Sequence, residues 1–159
     1  MISRLAGERC EPGTNPNFEY VLNAIKANSP TDVWAVGEAF NAAQSGSGTT
    51  LIEHYDGKAW SIVPSPSPGT GDVLTGVTTS NASNNVWAVG YYTPAGSSVA
   101  QTLTLHWNGS AWSTVASPNG STGSSVLSSV AATPGAAIVQ AVGYTGVYQA
   151  LNPLVLQNG

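Results

Sequence analysis

The stretch Asp32-Val33-Trp34-Ala35-Val36-Gly37 recurs as Asn85-Val86-Trp87-Ala88-Val89-Gly90 and, in a degenerate form, as Val139-Gln140-Ala141-Val142-Gly143. Trp34, Trp87 and Gln140 are separated by 53 and 53 residues. Upstream, Val21-Leu22, Val73-Leu74 and Val126-Leu127 recur at intervals of 52 and 53 residues. Downstream, His54-Tyr55-Asp56-Gly57-Lys58-Ala59-Trp60 is matched 52 residues later by His106-Trp107-Asn108-Gly109-Ser110-Ala111-Trp112. Val63-Pro64-Ser65-Pro66 is matched by Val115-Ala116-Ser117-Pro118, again 52 residues on. Four markers with one order and one period establish an internal repeat, the pattern of a repetitive architecture rather than of a single irregular domain.

Each period reads as four short strands, at 21–27, 33–40, 50–55 and 60–63 in the first copy. These segments are rich in Val, Trp, Thr and Tyr, which suit a pleated, half-buried surface. Asp56-Gly57 and Asn108-Gly109 lie between the third and fourth strands. Asp-Gly and Asn-Gly are the residue pairs of a two-residue type I′ hairpin, so such a turn is expected at both places. No segment keeps a helical period, and the fold class expected is all-β. A four-stranded unit of about 50 residues is the size of a propeller blade, and a lone blade cannot bury both faces. The expected architecture is therefore a partial β-propeller of about three four-stranded antiparallel blades, at 21–72, 73–125 and an incomplete 126–159. Residues 1–20 form an irregular N-terminal segment in which 8–12 align with the fourth strand of the repeat. Trp34, Trp87, Trp60 and Trp112 are expected between blades, where their large apolar rings are best buried. Asn158-Gly159 aligns with the hairpin turn, which makes Leu156 the third counterpart of His54 and His106.

The DVWAVG and H-[YW]-[DN]-G-x-x-W motifs, followed by a Pro-Ser-Pro stretch, resemble a repeat of bacterial, often extracellular, β-propeller proteins of the kelch and galactose-oxidase-like group. The resemblance covers residues 21–159. It implies stacked blades and a parent protein that is secreted or at the cell surface, and it implies no particular activity. The partners expected are further propeller blades or a second copy of the chain, since two copies of three blades would give a six-blade ring. A fragment of a longer array is the other reading.

Composition narrows the function classes. Charged residues make up 8% of the 159 residues, against about 25% in ordinary soluble domains. Arg4, Arg9, Lys26 and Lys58 are the only cations, and the net charge is −4. Scattered cations cannot supply the counterion release that drives nucleic-acid binding, so nucleic acid is excluded as a main partner. No apolar run approaches the ~20 residues of a membrane-spanning helix, and residues 1–10 lack the apolar core of a signal peptide. Cys10 is the single cysteine.

No catalytic set emerges. His54 and His106 occupy equivalent places in successive repeats, so they point in rotated directions and are poorly placed to share a metal. Each is expected to bond its own hairpin turn. Glu53 and Asp56 are neighbours in sequence, but a glycosidase pair must flank a sugar and Asp56 belongs to its turn. No cofactor or metal is expected. Function is expected on the variable loops at 41–48, 93–100 and 145–152, held by a rigid scaffold. Glu38, Phe40, Tyr91, Tyr92, Tyr144 and Tyr148 stand at or near their bases as candidate ligand-facing residues. The reading that follows is a non-catalytic binding or structural propeller module with a carbohydrate or protein ligand. Two alternatives stay open: a self-assembling, lectin-like ring that binds carbohydrate, and part of a hydrolase or lyase whose active site lies elsewhere.

Overall fold

The computed structural model describes residues 17–41, 43, 47–80, 84–121, 123–133, 138–147 and 150–157. The described residues form an all-β protein in two sheets, mostly antiparallel. The first repeat holds β1 (Phe18–Ser29), β2 (Asp32–Asn41), β3 (Gly48–Tyr55) and β4 (Trp60–Ile62). The second holds β5 (Gly71–Thr79), β6 (Val86–Thr93), β7 (Gln101–Trp107) and β8 (Trp112–Thr114). The third holds β9 (Ser124–Ala132), β10 (Val139–Val147) and β11 (Ala150–Gln157). Each repeat is an antiparallel meander, and a single parallel bridge, Gly48 to Gly71, joins the first two into one sheet.

The register repeats as the sequence does. Trp34 pairs with His54 and Trp87 with His106 across the second and third strands. The first strand of every repeat carries a bulge just after its leucine, between Leu22 and Ala24, between Leu74 and Gly76, and opposite Val142 and Gly143 in the third. The bulge explains the glycine that ends each VWAVG segment. A Cβ on Gly37, Gly90 or Gly143 would run into the carbonyl oxygen of Val21, Val73 or Val126 respectively. Only glycine lets the second strand lie that close to a bulged neighbour.

Residues alternate between two faces of each meander. The back face of the first repeat presents Trp34, Val36 and Ile52 to the front face of the second, which presents Leu74, Val77, Val86, Ala88, Leu103, Leu105 and Trp112. The back face of the second repeat presents Val89 to Leu127, Ala141, Val130, Leu154 and Leu156 of the third. The same back-to-front packing thus occurs twice. A polar link accompanies it. Asn23, in the first bulge, donates its side-chain amide to the Leu74 carbonyl at 2.9 Å. Thr75, in the second bulge, donates its hydroxyl to the Leu127 carbonyl at 2.7 Å.

Three local expectations need correction. The Tyr55–Trp60 and Trp107–Trp112 pairings leave four residues in each hairpin loop, so the connection is not a two-residue type I′ turn. Instead the Asp56 carboxylate accepts the N–H groups of Lys58 and Ala59, and the Asn108 side chain accepts those of Ser110 and Ala111. Gly57 and Gly109 take the left-handed conformation that the loop requires, at φ 92° and 96°. Second, the pairing of Gln140 with Gln157 makes Gln157, not Leu156, the counterpart of His54 and His106. Third, Trp60 packs against Tyr55 on the front face of the first repeat, where no described repeat covers it, whereas Trp112 lies between repeats as expected. Residues 1–16 and Asn158-Gly159 lie outside the described residues, and so does the aligned segment 8–12.

Candidate functional site

The polar residues that recur from repeat to repeat are held in local bonds. His54 Nε2 meets Asp32 Oδ1 at 2.8 Å, and its ring lies 4.2 Å from that of Trp34. His106 Nε2 meets Asn85 Oδ1 at 2.7 Å, and its ring lies 4.3 Å from that of Trp87. The partner is thus the residue at or just before the start of the second strand, not the histidine's own hairpin turn. In the third repeat Gln140 and Gln157 stand where the Trp and His do, and Gln140 Nε2 donates to Gln157 Oε1 at 2.8 Å. Burial holds the His106 imidazolium range below its ordinary value, which favours the neutral ring. Glu53 is buried while Asp56 sits exposed on its loop, so they do not face a common substrate. Backbone bonds from Ala59 and Lys58 hold the Asp56 carboxyl below the usual range, as its loop role requires. Among the described residues, no group of three or more His, Cys, Asp or Glu could hold a metal ion.

The candidate residues at the loop bases fall into two sets. Register places Glu38, Tyr91 and Tyr144 at one equivalent position, opposite Thr50, Thr102 and Pro153. They form a row across the three repeats at the end that bears the longer loops. Burial raises the carboxyl of Glu38 above its ordinary range. The Tyr91 phenol is raised by burial, then by the Glu38 charge and by Tyr144. The row is therefore close enough for its members to feel one another, with Tyr91 at its centre and neutral at ordinary pH. Phe40 lies two residues beyond Glu38 on the same face and is half-buried. Tyr92 points to the opposite face, packs against the core between the first two repeats and donates its hydroxyl to Gln101 Oε1 at 2.6 Å. Tyr92 also borders a cavity of about 510 Å³ together with Pro68, Thr102 and Thr114. Tyr148 lies outside the described residues.

Sequence reasoning missed a feature at Trp87. Trp34 is 2% exposed, with the rings of Trp107 and Trp112 at 5.3 Å and 5.5 Å. Trp87 holds the same position in the second repeat but is only half-buried and borders a cavity of about 120 Å³. Val89, Thr104, Val115, Val139, Ala141 and Leu156 form much of the wall, which is almost wholly apolar.

Among the described residues no helix is long and apolar enough to cross a membrane. Comparison of the chain with protein-family models, with curated proteins and with solved structures finds no match in any of the three.

Proposed function

We propose that the chain comprises consecutive blades of a β-propeller of the kelch and galactose-oxidase-like kind, and that it serves as a non-catalytic binding or structural module. The observation that carries this reading is the twofold recurrence of one back-to-front interface, with a bulge residue bonded to the next leucine carbonyl each time. The first strands β1, β5 and β9 lie against one another in succession, as the inner strands of a fan of blades would. The shared polar positions are taken up by bonds that serve the repeat itself: Asp32 or Asn85 with its histidine, and Asp56 or Asn108 with its loop. Such residues support a scaffold rather than a reaction.

Ligand contact falls to the row of Glu38, Tyr91 and Tyr144, which departs from exact repetition at a site flanked by variable loops. A carboxyl beside two phenols offers hydrogen bonds and aromatic faces to a sugar or an extended peptide. The test is a glycan array and a peptide library probed with the purified chain and with Tyr91→Ala. A ligand lost in the variant is the expected result. Blank arrays at high protein concentration would sink the binding role. Light scattering after size exclusion tests the ring alternative, which requires an oligomer at micromolar concentration and fails on a strict monomer.

A further inference from the structure

A cavity of about 510 Å³ lies where the linker leaving the first repeat meets the second. All four strands of both repeats are described. Pro68 comes from the linker between β4 and β5, and Asn119 from the linker between β8 and β9. Tyr92, Leu103 and Thr114 come from β6, β7 and β8. These three share the front face of the second repeat. Leu103 and Tyr92 belong to the core there, and Thr114 sits opposite Leu105 of that core. The volume falls in the range of small-molecule sites, about 300–1,000 Å³.

The second repeat departs from the first at three residues that line this cavity. Ala39 is the counterpart of Tyr92, since Ala39 pairs with Thr49 as Tyr92 pairs with Gln101. Tyr92 thus adds a ring where the first repeat has a methyl group, and Gln101 Oε1 fixes its hydroxyl at 2.6 Å. Ile62, opposite Glu53, is the counterpart of Thr114. Thr114 is exposed and adds a hydroxyl where the first repeat has an aliphatic side chain. Ser67 is the counterpart of Asn119: Ser67 Oγ accepts the Thr50 N–H at 2.9 Å, and Asn119 Oδ1 accepts the Thr102 N–H at 2.8 Å. A serine therefore meets the need of the scaffold. Asn119 makes its bonds within the described chain through Oδ1 and is exposed, so the two Nδ2 hydrogens are available to a ligand.

We propose that this cavity is a binding site for a neutral saccharide. No Asp, Glu, Lys, Arg or His lines it. A charged ligand would give up its hydration there without meeting an opposite charge. A wholly apolar ligand would strand the Thr114 hydroxyl and the Asn119 amide. A sugar ring suits both kinds of wall. Its C–H face lies on the ring of Tyr92, and its hydroxyls accept from Asn119 Nδ2 and exchange a hydrogen bond with Thr114 Oγ1. Pro68 and Leu103 supply further apolar wall. The site is separate from the Glu38 row, because Tyr92 and Tyr91 point to opposite faces of β6, so each can fail without the other.

The experiment screens lactose, cellobiose, maltose and diacetylchitobiose against the full chain by saturation-transfer NMR, then titrates the responding sugar by calorimetry. Saturable binding of at least one is expected. Asn119→Ser keeps an acceptor for the Thr102 N–H, as Ser67 does for Thr50. It should unfold at the wild-type temperature and bind about fivefold more weakly, the scale of one hydrogen bond. Thr114→Ile installs the side chain of the first repeat and gives an independent second reading. Together the two changes should weaken binding by about tenfold or more. No saturable binding of any of the four sugars, or binding indifferent to both changes in a folded protein, overturns the proposal. In the latter case loss of the sugar in Tyr91→Ala would assign it to the Glu38 row.

Discussion

At the scale of single residues, two positions show how the repeat constrains chemistry. Gly90 faces the Val73 carbonyl across the bulge, and a methyl group there has nowhere to go without moving backbone. Gly90→Ala should lower stability by about 1–3 kcal/mol, the usual cost of forced overpacking. Urea denaturation would show it, and an unchanged midpoint would mean that the bulge is not rigid. Asp72 is 0% exposed, and its Oδ2 accepts the Gly69 N–H at 3.1 Å to hold the linker between repeats. Burial raises its carboxyl above the ordinary range, against the opposing pull of that N–H bond. An acid whose folded value is raised stays protonated longer in the folded state, so stability falls as pH climbs from the ordinary carboxylate value through the folded one. The third repeat solves the same problem without charge, since Ser125 Oγ accepts the Gly120 N–H at 2.9 Å. Asp72→Ser should therefore gain on the wild type as pH rises from 4 to 7.5 in thermal melts. A gap that stays constant, or shrinks, would refute the assignment. The acid's identity was plain in the sequence, but its burial under a linker depends on residues far along the chain.

At the scale of elements, the bulged first strand is the joint between neighbours. Thr75 Oγ1 lies 2.7 Å from the Leu127 carbonyl and 3.2 Å from that of Val89. Thr75→Val keeps the shape and removes the donor, and should cost about 1–2 kcal/mol because a carbonyl at the joint loses its partner. Equilibrium unfolding measures this, and a neutral result would assign the joint to apolar packing alone. Strand content and order were legible from the alternating Val, Trp and Thr segments and from the recurrence of their markers. The bulge was not, because an extra residue in one strand leaves no mark in composition and shows only once the partner strand is placed. The hairpin was misread for a related reason: Asp-Gly favours the tight turn, but the Tyr55–Trp60 pairing sets a four-residue loop that Asp56 caps from its first position.

At the scale of the whole molecule, stability comes from interfaces between repeats, and the two described interfaces are unequal. Trp34→Ala opens a core closed by two further indoles and should cost about 3–5 kcal/mol. Trp87→Ala removes a ring already beside a cavity and should cost about half as much. Paired denaturation curves would decide it, and equal losses would show the two interfaces to be equally packed. From its own letters the chain determined the repeat, its period and the all-β class, because these follow from local periodicity and from residues that recur in step. Tertiary structure alone decided which face meets which neighbour, that Glu38, Tyr91 and Tyr144 fall in one row, and that Trp87 is left beside open space. Those depend on the stacking of segments some fifty residues apart, where shape sets the outcome and no short stretch of sequence carries the information.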